Sequence, residues 1–304
     1  MSFNDNVQID TSGVSGGGGG RRGPGGGMVV GGTGGVILLI LSLLFGGDVF
    51  GGGTTSPGAQ SYPQQPQQRP DSVDQFASCR TGADANRSVE CRVIATQNSV
   101  QAFWAKELPR FGVNYSKAPL VLYQGSTPSA CGTASNAVGP FYCPTDSSVY
   151  LDASFFNELT SRFGADDGAL AQEYVVAHEY GHHVQDLLGL LQRAQQDPQG
   201  AESGSVRTEL MADCLAGVWA HHASTTKDAN GTPYLEPLTR RDVQSALSAA
   251  SAVGDDRIQQ SAQGRVTPET WTHGSSAERQ TWFLTGYRTG DLRQCDTFTA
   301  ASLG

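Results

Sequence analysis

The 304-residue sequence lacks several features that would place it in common classes of protein. Its 20 lysines and arginines are outnumbered by 29 acidic residues and form no basic stripe, so no nucleic-acid partner is expected. No Cys-x-x-Cys pair is present, which disfavours a thiolate metal site. Residues 16–20 are all glycine but lack the lysine that a phosphate-binding loop needs, and no internal repeat is found. An acidic chain remains, long enough for one domain with appendages.

The first quarter of the chain has too few apolar residues for a core of its own. Residues 1–27 are glycine-rich and are expected to be a disordered cytoplasmic tail. Residues 28–45 carry no charge, and as a helix they would extend about 27 Å, which predicts one transmembrane anchor in the lipid bilayer. Residues 46–71, rich in Gly, Pro and Gln, are the predicted linker to a domain over residues 72–304.

Basic residues next to the apolar run predict its orientation. Arg21 and Arg22 precede the run, whereas the first basic residue after it is Arg69. Lysine and arginine residues next to a membrane span are found mostly on its cytoplasmic side, so we expect a cytoplasmic N-terminus and an extracytoplasmic domain. No Ala-x-Ala-like cleavage site follows the run, and we therefore expect an uncleaved, single-pass protein of the cell membrane.

All six cysteines lie within residues 72–304. An even number confined to the predicted outer part indicates disulfides formed in an oxidising compartment. Fifteen connectivities are possible, and chain spacing favours the simplest one. The predicted pairs are Cys79 with Cys91, Cys131 with Cys143, and Cys214 with Cys295.

The pentad from His178 to His182 reads H-E-x-x-H within a proline-free stretch of helical periodicity, residues 170–191. At 100° per residue, His178 and His182 project from one face, so that both imidazoles can bind one Zn²⁺. Glu179 lies beside the open coordination site, where it can act as general base toward a zinc-activated water. Solvated histidines are the alternative, but a buried helix gives these polar groups no water.

A second proline-free stretch, residues 206–222, supplies a third ligand. Glu209 and Asp213 are four residues apart and share a helix face. Glu209 is the predicted ligand, completing a two-histidine, one-glutamate site for one Zn²⁺ per chain. Asp213 is expected to accept the free ring N–H of a ligating histidine. The alternative, two solvated acids, conflicts with the apolar neighbours of this stretch.

Other candidate ligands fit less well. Asp186 lies about 6 Å beyond the second motif histidine along the helix axis, and His183 faces sideways. His221 and His222 are expected at the surface near a helix end. Glu202 lies in the loop between the two helices and is the reserve candidate.

The domain is predicted to be α+β, with a small sheet and a mostly helical second half. Strands are expected at residues 120–123 and around Phe141 and Val149, with helices over 99–108 and near 73–77. Residues 148–152 are either an edge strand that pairs with an extended substrate or an ordinary sheet strand. We expect a zincin-like architecture.

Several separated segments resemble one family, the bacterial neutral zinc metallopeptidases, which have an N-terminal membrane segment and a H-E-Y-G-H-H core. The segments are residues 3–6, the glycine-rich and apolar stretch after them, 141–144, 149–152, the core, 209–217, and 272–276 before Arg279. The resemblance implies a membrane-anchored, zinc-dependent peptidase and leaves the substrate open.

Residues 273–279 also resemble the H-P-x-x-x-x-R stretch of membrane-associated gluzincin peptidases, with Gly274 in place of proline. The resemblance implies that His273 donates a hydrogen bond to a developing oxyanion. It implies that Arg279 holds Glu209, Asp213 or another structural carboxylate.

We therefore expect peptide or protein substrates and peptide-bond hydrolysis. A zinc-bound pseudoenzyme that serves as a scaffold is one alternative, and a zinc hydrolase of cell-wall peptide amides is another. Glu179 favours an enzyme, because a scaffold has no use for a general base. The sequence leaves the cleavage position and the oligomeric state open.

Overall fold

A computed structural model of the protein describes residues 2–17 and 75–304. The predicted transmembrane anchor at 28–45 and the predicted linker at 46–71 lie outside the described residues. In the described part of the chain, no helix combines the length and apolar character needed to cross a membrane.

The described residues form a mixed α+β fold with more helix than strand. The strands are β1 (Val14–Gly17), β2 (Leu120–Tyr123), β3 (Ser126–Ser129), β4 (Gly132–Ser135), β5 (Phe141–Cys143) and β6 (Ser148–Asp152). The α-helices are α1 (Gly82–Arg87), α2 (Val89–Glu107), α3 (Phe155–Ser161), α4 (Ala169–Leu187), α5 (Gln192–Gln196), α6 (Gly204–His222), α7 (Arg240–Ala252), α8 (Asp255–Gln263) and α9 (Ser276–Thr289). Short 3-10 turns lie at Leu108–Phe111, Pro268–Thr270 and Leu292–Cys295. The α+β class with a small sheet, predicted from the sequence, is confirmed.

The main sheet has the strand order β1-β2-β6-β5. Strands β1, β2 and β6 are parallel, and β5 runs antiparallel to β6. Side chains alternate across the sheet: Leu120 and Leu122 belong to the helical core, whereas Tyr123 and Tyr150 pack in a smaller cluster on the opposite face. The antiparallel β3–β4 hairpin contributes Ala134 to that smaller cluster. Helices and hairpin therefore cover opposite faces of the sheet.

Helix α6 lies between α4 and α9, and glycines permit the close packing. A Cβ at Gly181 of α4 would lie 3.0 Å from the carbonyl oxygen of Ala212 in α6. A Cβ at Gly286 of α9 would lie 1.9 Å from the carbonyl oxygen of Cys214, also in α6. Gly181 is the glycine of the H-E-Y-G-H-H core, so the motif carries the small residue that brings its own helix against α6.

The ends of the two motif helices follow local capping chemistry. Helix α4 ends at Leu187, four residues before the predicted end, because Gly189 adopts a left-handed conformation with φ of 71°. Helix α6 begins after Ser203, whose hydroxyl accepts a hydrogen bond from the backbone N–H of Val206.

Three disulfides join the cysteines as the sequence predicted. They are Cys79–Cys91, Cys131–Cys143 and Cys214–Cys295. The third joins α6 to the C-terminal 3-10 turn, and no cysteine of the chain is free in the described residues.

The expectation of a disordered tail over residues 1–27 is wrong for residues 2–17. Phe3 and Val7 are buried in the main core, and β1 pairs with β2 along its length. The prediction failed because so few residues in this segment are apolar that composition alone indicates disorder. Residues 2–17 therefore belong to the same domain as residues 75–304.

The proposed edge-strand role of residues 148–152 is also wrong. These residues form β6, which is paired with β2 on one side and β5 on the other, so no backbone edge is open to a substrate. They are the ordinary sheet strand of the alternative interpretation. The outer strand on this side of the described sheet is β5.

Candidate metal centre

His178, His182 and Glu209 converge at the contact between α4 and α6. Each residue offers one donor atom, and these atoms lie within 4.8 Å of one another. His178 Nε2 is 3.1 Å from Glu209 Oε2, and His182 Nε2 is 3.4 Å from Glu209 Oε1. All three side chains are buried. The structure thus brings together the three ligands predicted from the sequence.

The outer ring nitrogens of both histidines are held by hydrogen bonds. His178 Nδ1 is 2.8 Å from Asp213 Oδ1, the contact expected of Asp213. His182 Nδ1 is 2.8 Å from Gln185 Oε1. These contacts leave both Nε2 atoms directed toward Glu209, and a bound metal would require the tautomer that carries its proton on Nδ1. Gln185 was missed in the sequence, although its position three residues after His182 places it on the same helix face.

Arg279 of α9 holds Asp213 by two charged hydrogen bonds. Its Nε donates to Asp213 Oδ2 at 2.8 Å, and an Nη donates to Asp213 Oδ1 at 3.0 Å. Tyr174 also donates its hydroxyl to Asp213 Oδ1 and accepts from Arg279. Of the partners proposed for Arg279, Asp213 is the one in direct hydrogen-bond contact, whereas Glu209 lies 4.0 Å away. No sequence signal pointed to Tyr174.

Glu179 lies beside the three ligands with one carboxylate oxygen unused. The residue is buried, and Oε2 has no hydrogen-bond partner among the described residues. Burial raises the pKa of Glu179 to about 7. A buried carboxylate without a partner is costly, so this oxygen is positioned for a ligand or a proton.

His273 reaches the same place from the loop that precedes α9. Its Nε2 is 4.0 Å from Glu209 Oε1, and its Nδ1 is 2.6 Å from the hydroxyl of Thr272. Asp255 Oδ2 accepts the backbone N–H groups of Thr272, His273 and Gly274 at 2.8, 2.7 and 3.2 Å. This carboxylate therefore fixes the loop that carries His273.

Gly274 explains why this loop departs from the H-P-x-x-x-x-R pattern. Its φ of 88° lies in a region that proline cannot adopt, because the proline ring fixes φ near −65°. The turn thus differs from one with proline, yet His273 still reaches the ligand cluster. Asp255 and Thr272 were missed in the sequence, and nothing local marks Asp255, which lies 18 residues before His273.

The opposing charges give the metal-free cluster a definite protonation pattern. Burial lowers the pKa of His178, but Asp213 and Glu209 outweigh burial and raise it to about 10. Burial lowers the pKa of His182 to about 4. Burial would raise the pKa of Glu209, yet His273, His182 and His178 hold it below its usual range. Without a metal, His178 is therefore a charged imidazolium that donates one ring N–H to Asp213 and the other to Glu209.

A cleft opens beside the cluster, and its remaining wall is largely apolar. Val138, Gly139 and Pro140, just before β5, line one part of it. Phe155, Phe163, Val175, Val253 and Ile258 line the rest. The cleft therefore joins the polar cluster to a surface suited to apolar groups.

The rival ligands lie elsewhere. Asp186 accepts a hydrogen bond from the Tyr142 hydroxyl, and His183 contacts that hydroxyl and the carbonyl oxygen of Ser116. The side chain of Glu202 is 66% exposed and pairs with Arg207 at 3.6 Å. His221 and His222 bind backbone carbonyls near the end of α6. None of these residues joins the three ligands.

The residues fit a zinc ion. Two imidazoles and one carboxylate are a donor set that Zn²⁺ accepts, and the buried, unpartnered Glu179 oxygen lies beside it. The fold and the site together define an α+β protein with a candidate metal centre buried between helices.

The chain belongs to a family whose model is described as "Putative neutral zinc metallopeptidase", which matches residues 2–298. It is 60% identical over 230 residues to an uncharacterized protein of Mycobacterium tuberculosis, covering 75% of this chain and 77% of the relative. An uncharacterized protein of Mycobacterium bovis matches equally. YpfJ of Escherichia coli, also uncharacterized, is 45% identical over 200 residues, covering 64% of this chain and 66% of YpfJ. No solved structure shows significant similarity.

Proposed function

We propose that this protein is a zincin-like peptidase of the gluzincin type that hydrolyses peptide bonds. One observation carries the proposal: a buried two-histidine, one-glutamate cluster lies beside a buried glutamate whose Oε2 has no partner among the described residues. A structural zinc site is usually closed by four protein ligands, whereas three donor groups converge here among the described residues, which would leave a position open for water beside Glu179.

His178, His182 and Glu209 would hold one Zn²⁺. When bound, the ion would supply Lewis acidity that polarises a carbonyl group and acidifies water. Asp213 would keep the His178 ring in its ligating tautomer, and Arg279 would act through Asp213 as a positioning residue.

Glu179 would act as general base and then as general acid. Its pKa, raised by burial to about 7, suits a group that must gain and lose a proton near neutral pH. Oε2 carries no competing hydrogen bond in the described residues, so it is the oxygen that would accept the proton and pass it to the leaving amine.

His273 would donate from Nε2 to the oxygen on which negative charge develops. Its Nδ1 is engaged by Thr272, and Asp255 fixes its backbone, so Nε2 is the nitrogen left facing the cluster. Positioned donors of this kind stabilise the transition state without reorganisation.

The substrate would bind in the cleft against residues 138–140, which precede β5. This strand is the last in the order of the described sheet, and residues 138–140 just before it line the cleft. Phe141, Tyr142 and Cys143 of β5 are 2%, 1% and 0% exposed, so β5 is covered and offers a substrate no open backbone edge.

The test is metal content and proteolysis on the full chain, purified in detergent, for the parent and for Glu209→Ala, Glu202→Ala and Glu179→Gln. We expect one zinc per chain in the parent, in the exposed Glu202→Ala control and in Glu179→Gln, and a loss of zinc in Glu209→Ala. Chelator-sensitive cleavage of fluorescent casein should be lost in Glu179→Gln.

The other outcomes distinguish the alternatives. Full zinc with neither casein cleavage nor release of muropeptide fragments would support a scaffold. Release of muropeptide fragments with casein intact would support a hydrolase of cell-wall peptide amides. A parent without zinc would overturn the proposal.

A further inference from the structure

Residues 2–17 form an amino-terminal strap that is built into the domain. Phe3, Val7 and Val14 are 2%, 0% and 8% exposed and belong to the main core. Strand β1 pairs in parallel with β2 from Val14 opposite Leu120 to Gly17 opposite Tyr123. If the strap were removed, β2 would become an exposed edge, which proteins avoid because it promotes aggregation.

Polar side chains of the domain bind the strap in reciprocal pairs. Asn86 accepts the N–H of Phe3 at 2.8 Å and donates to the carbonyl oxygen of Phe3 at 3.0 Å. Asn98 accepts the N–H of Asp10 at 2.7 Å and donates to its carbonyl oxygen at 2.9 Å. In each case one asparagine side chain binds both the N–H and the carbonyl oxygen of a single strap residue. The domain therefore presents a specific binding surface to the strap.

Glycines mark where strap and domain approach most closely. A Cβ at Gly82 would lie 1.9 Å from the carbonyl oxygen of Asn4, and a Cβ at Gly17 would lie 2.5 Å from the Cβ of Tyr123. A residue with a side chain would push the strap away at either place. The strap and the domain surface that it contacts are therefore complementary in shape, with one close-contact glycine on each.

The two described segments of the chain come together where the stretch between them begins and ends. Strand β1 ends at Gly17, and the next described residue is Gln75. A Cβ at Gly16 would lie 1.7 Å from Gln75 Oε1, so the two ends of the intervening stretch are neighbours. The single long apolar run of the sequence, residues 28–45, lies between these ends.

A single crossing is incompatible with this arrangement. A run that crosses the membrane once puts residues 2–17 on one side and residues 75–304 on the other. The stretch from 46 to 71 is polar and offers no second crossing that would bring the chain back. A chain with a docked strap therefore has both flanks of the apolar run on one side.

We propose that the amino-terminal strap and residues 75–304 fold on the same side of the membrane, which excludes a single crossing by residues 28–45. This replaces the expected arrangement of a cytoplasmic tail and an extracytoplasmic domain. The inference does not depend on peptidase activity.

The first test compares the accessibility of two introduced cysteines in the full chain. Asn6 of the strap and Ala229 of the domain are both exposed, and the parent has no free cysteine in the described residues, so it serves as the unlabelled control. Asn6→Cys and Ala229→Cys are treated with a membrane-impermeant maleimide in sealed cells, before and after permeabilisation. We expect both to label at the same stage. Labelling of one before and the other only after permeabilisation would overturn the proposal.

The second test asks whether the strap is docked in the full chain. Val7→Asp places a charge in the core, whereas Asn6→Asp changes the exposed neighbour. A docked strap predicts that Val7→Asp lowers the melting temperature by roughly 10 °C or more and that Asn6→Asp changes it little. Equal melting temperatures for the two variants would show an undocked strap and refute the inference.

Discussion

Replacing Arg279 by methionine tests whether the buried charge network holds the candidate metal centre together. Arg279 and Asp213 are 4% and 0% exposed, and two hydrogen bonds of 2.8 and 3.0 Å join them. Arg279→Met would leave Asp213 ionised, buried and only partly compensated by His178. Breaking a buried pair in this way typically costs about 3–5 kcal/mol. In a domain of this size the melting temperature should fall by roughly 6–20 °C.

The measurement is thermal unfolding followed by circular dichroism, in the presence of a chelator so that metal binding does not contribute. Arg293→Met is the matched control, because Arg293 pairs with Asp291 at 2.7 Å but has a 75% exposed side chain. We expect little change in that control. Arg279→Met combined with Asp213→Asn removes both charges and should recover part of the lost stability. If Arg279→Met shifts the melting temperature no more than Arg293→Met does, the buried pair does not stabilise the fold.

Three further predictions concern other parts of the domain. Burial raises the pKa of Glu173 to about 7, so the protonated side chain contributes about 3 kcal/mol of folding stability below pH 4.5, and this contribution is lost as the pH rises through 7. In urea unfolding, Glu173→Gln should therefore gain stability relative to the parent between pH 5 and pH 8. The exposed control Glu269→Gln should show no such change. Gly286→Ala should lower the free energy of unfolding by at least about 2 kcal/mol, because the new Cβ would clash with α6. If it lowers the free energy of unfolding no more than the exposed control Thr281→Ala does, the close packing of α9 on α6 is contradicted. Asp255→Asn should lower kcat about 10-fold while zinc content and KM are retained, because Asp255 holds the loop that carries His273. A loss of zinc as large as the loss of kcat would indicate a merely structural role for Asp255.

The candidate metal ligands were predictable because their pattern is local. The spacing of His178 and His182, and of Glu209 and Asp213, follows from helix geometry alone. Gly181 makes the close approach possible, but only the structure shows why glycine is there, since a Cβ at this position would lie 3.0 Å from the carbonyl oxygen of Ala212.

The strap could not be predicted in this way. Its contacts join residues far apart in the chain, such as Phe3 and Asn86, and they depend on backbone hydrogen bonds more than on apolar side chains. Hydrophobic periodicity carries no signal for such a segment, and its glycines suggest disorder. The same reason explains why Asp255 was missed: its carboxylate binds backbone N–H groups, which any sequence provides.

The sequence by itself determined the α+β class, the two motif helices and the residues that converge as candidate ligands, because helix periodicity is a local property of the chain. Among fifteen possible connectivities it favoured the disulfide pairing that the structure shows. Only the tertiary structure decided that residues 2–17 belong to the domain, that β5 is the outer strand beside the cleft and that Arg279 holds Asp213. Those features depend on which distant segments become neighbours, and that is fixed by the packing of the whole core.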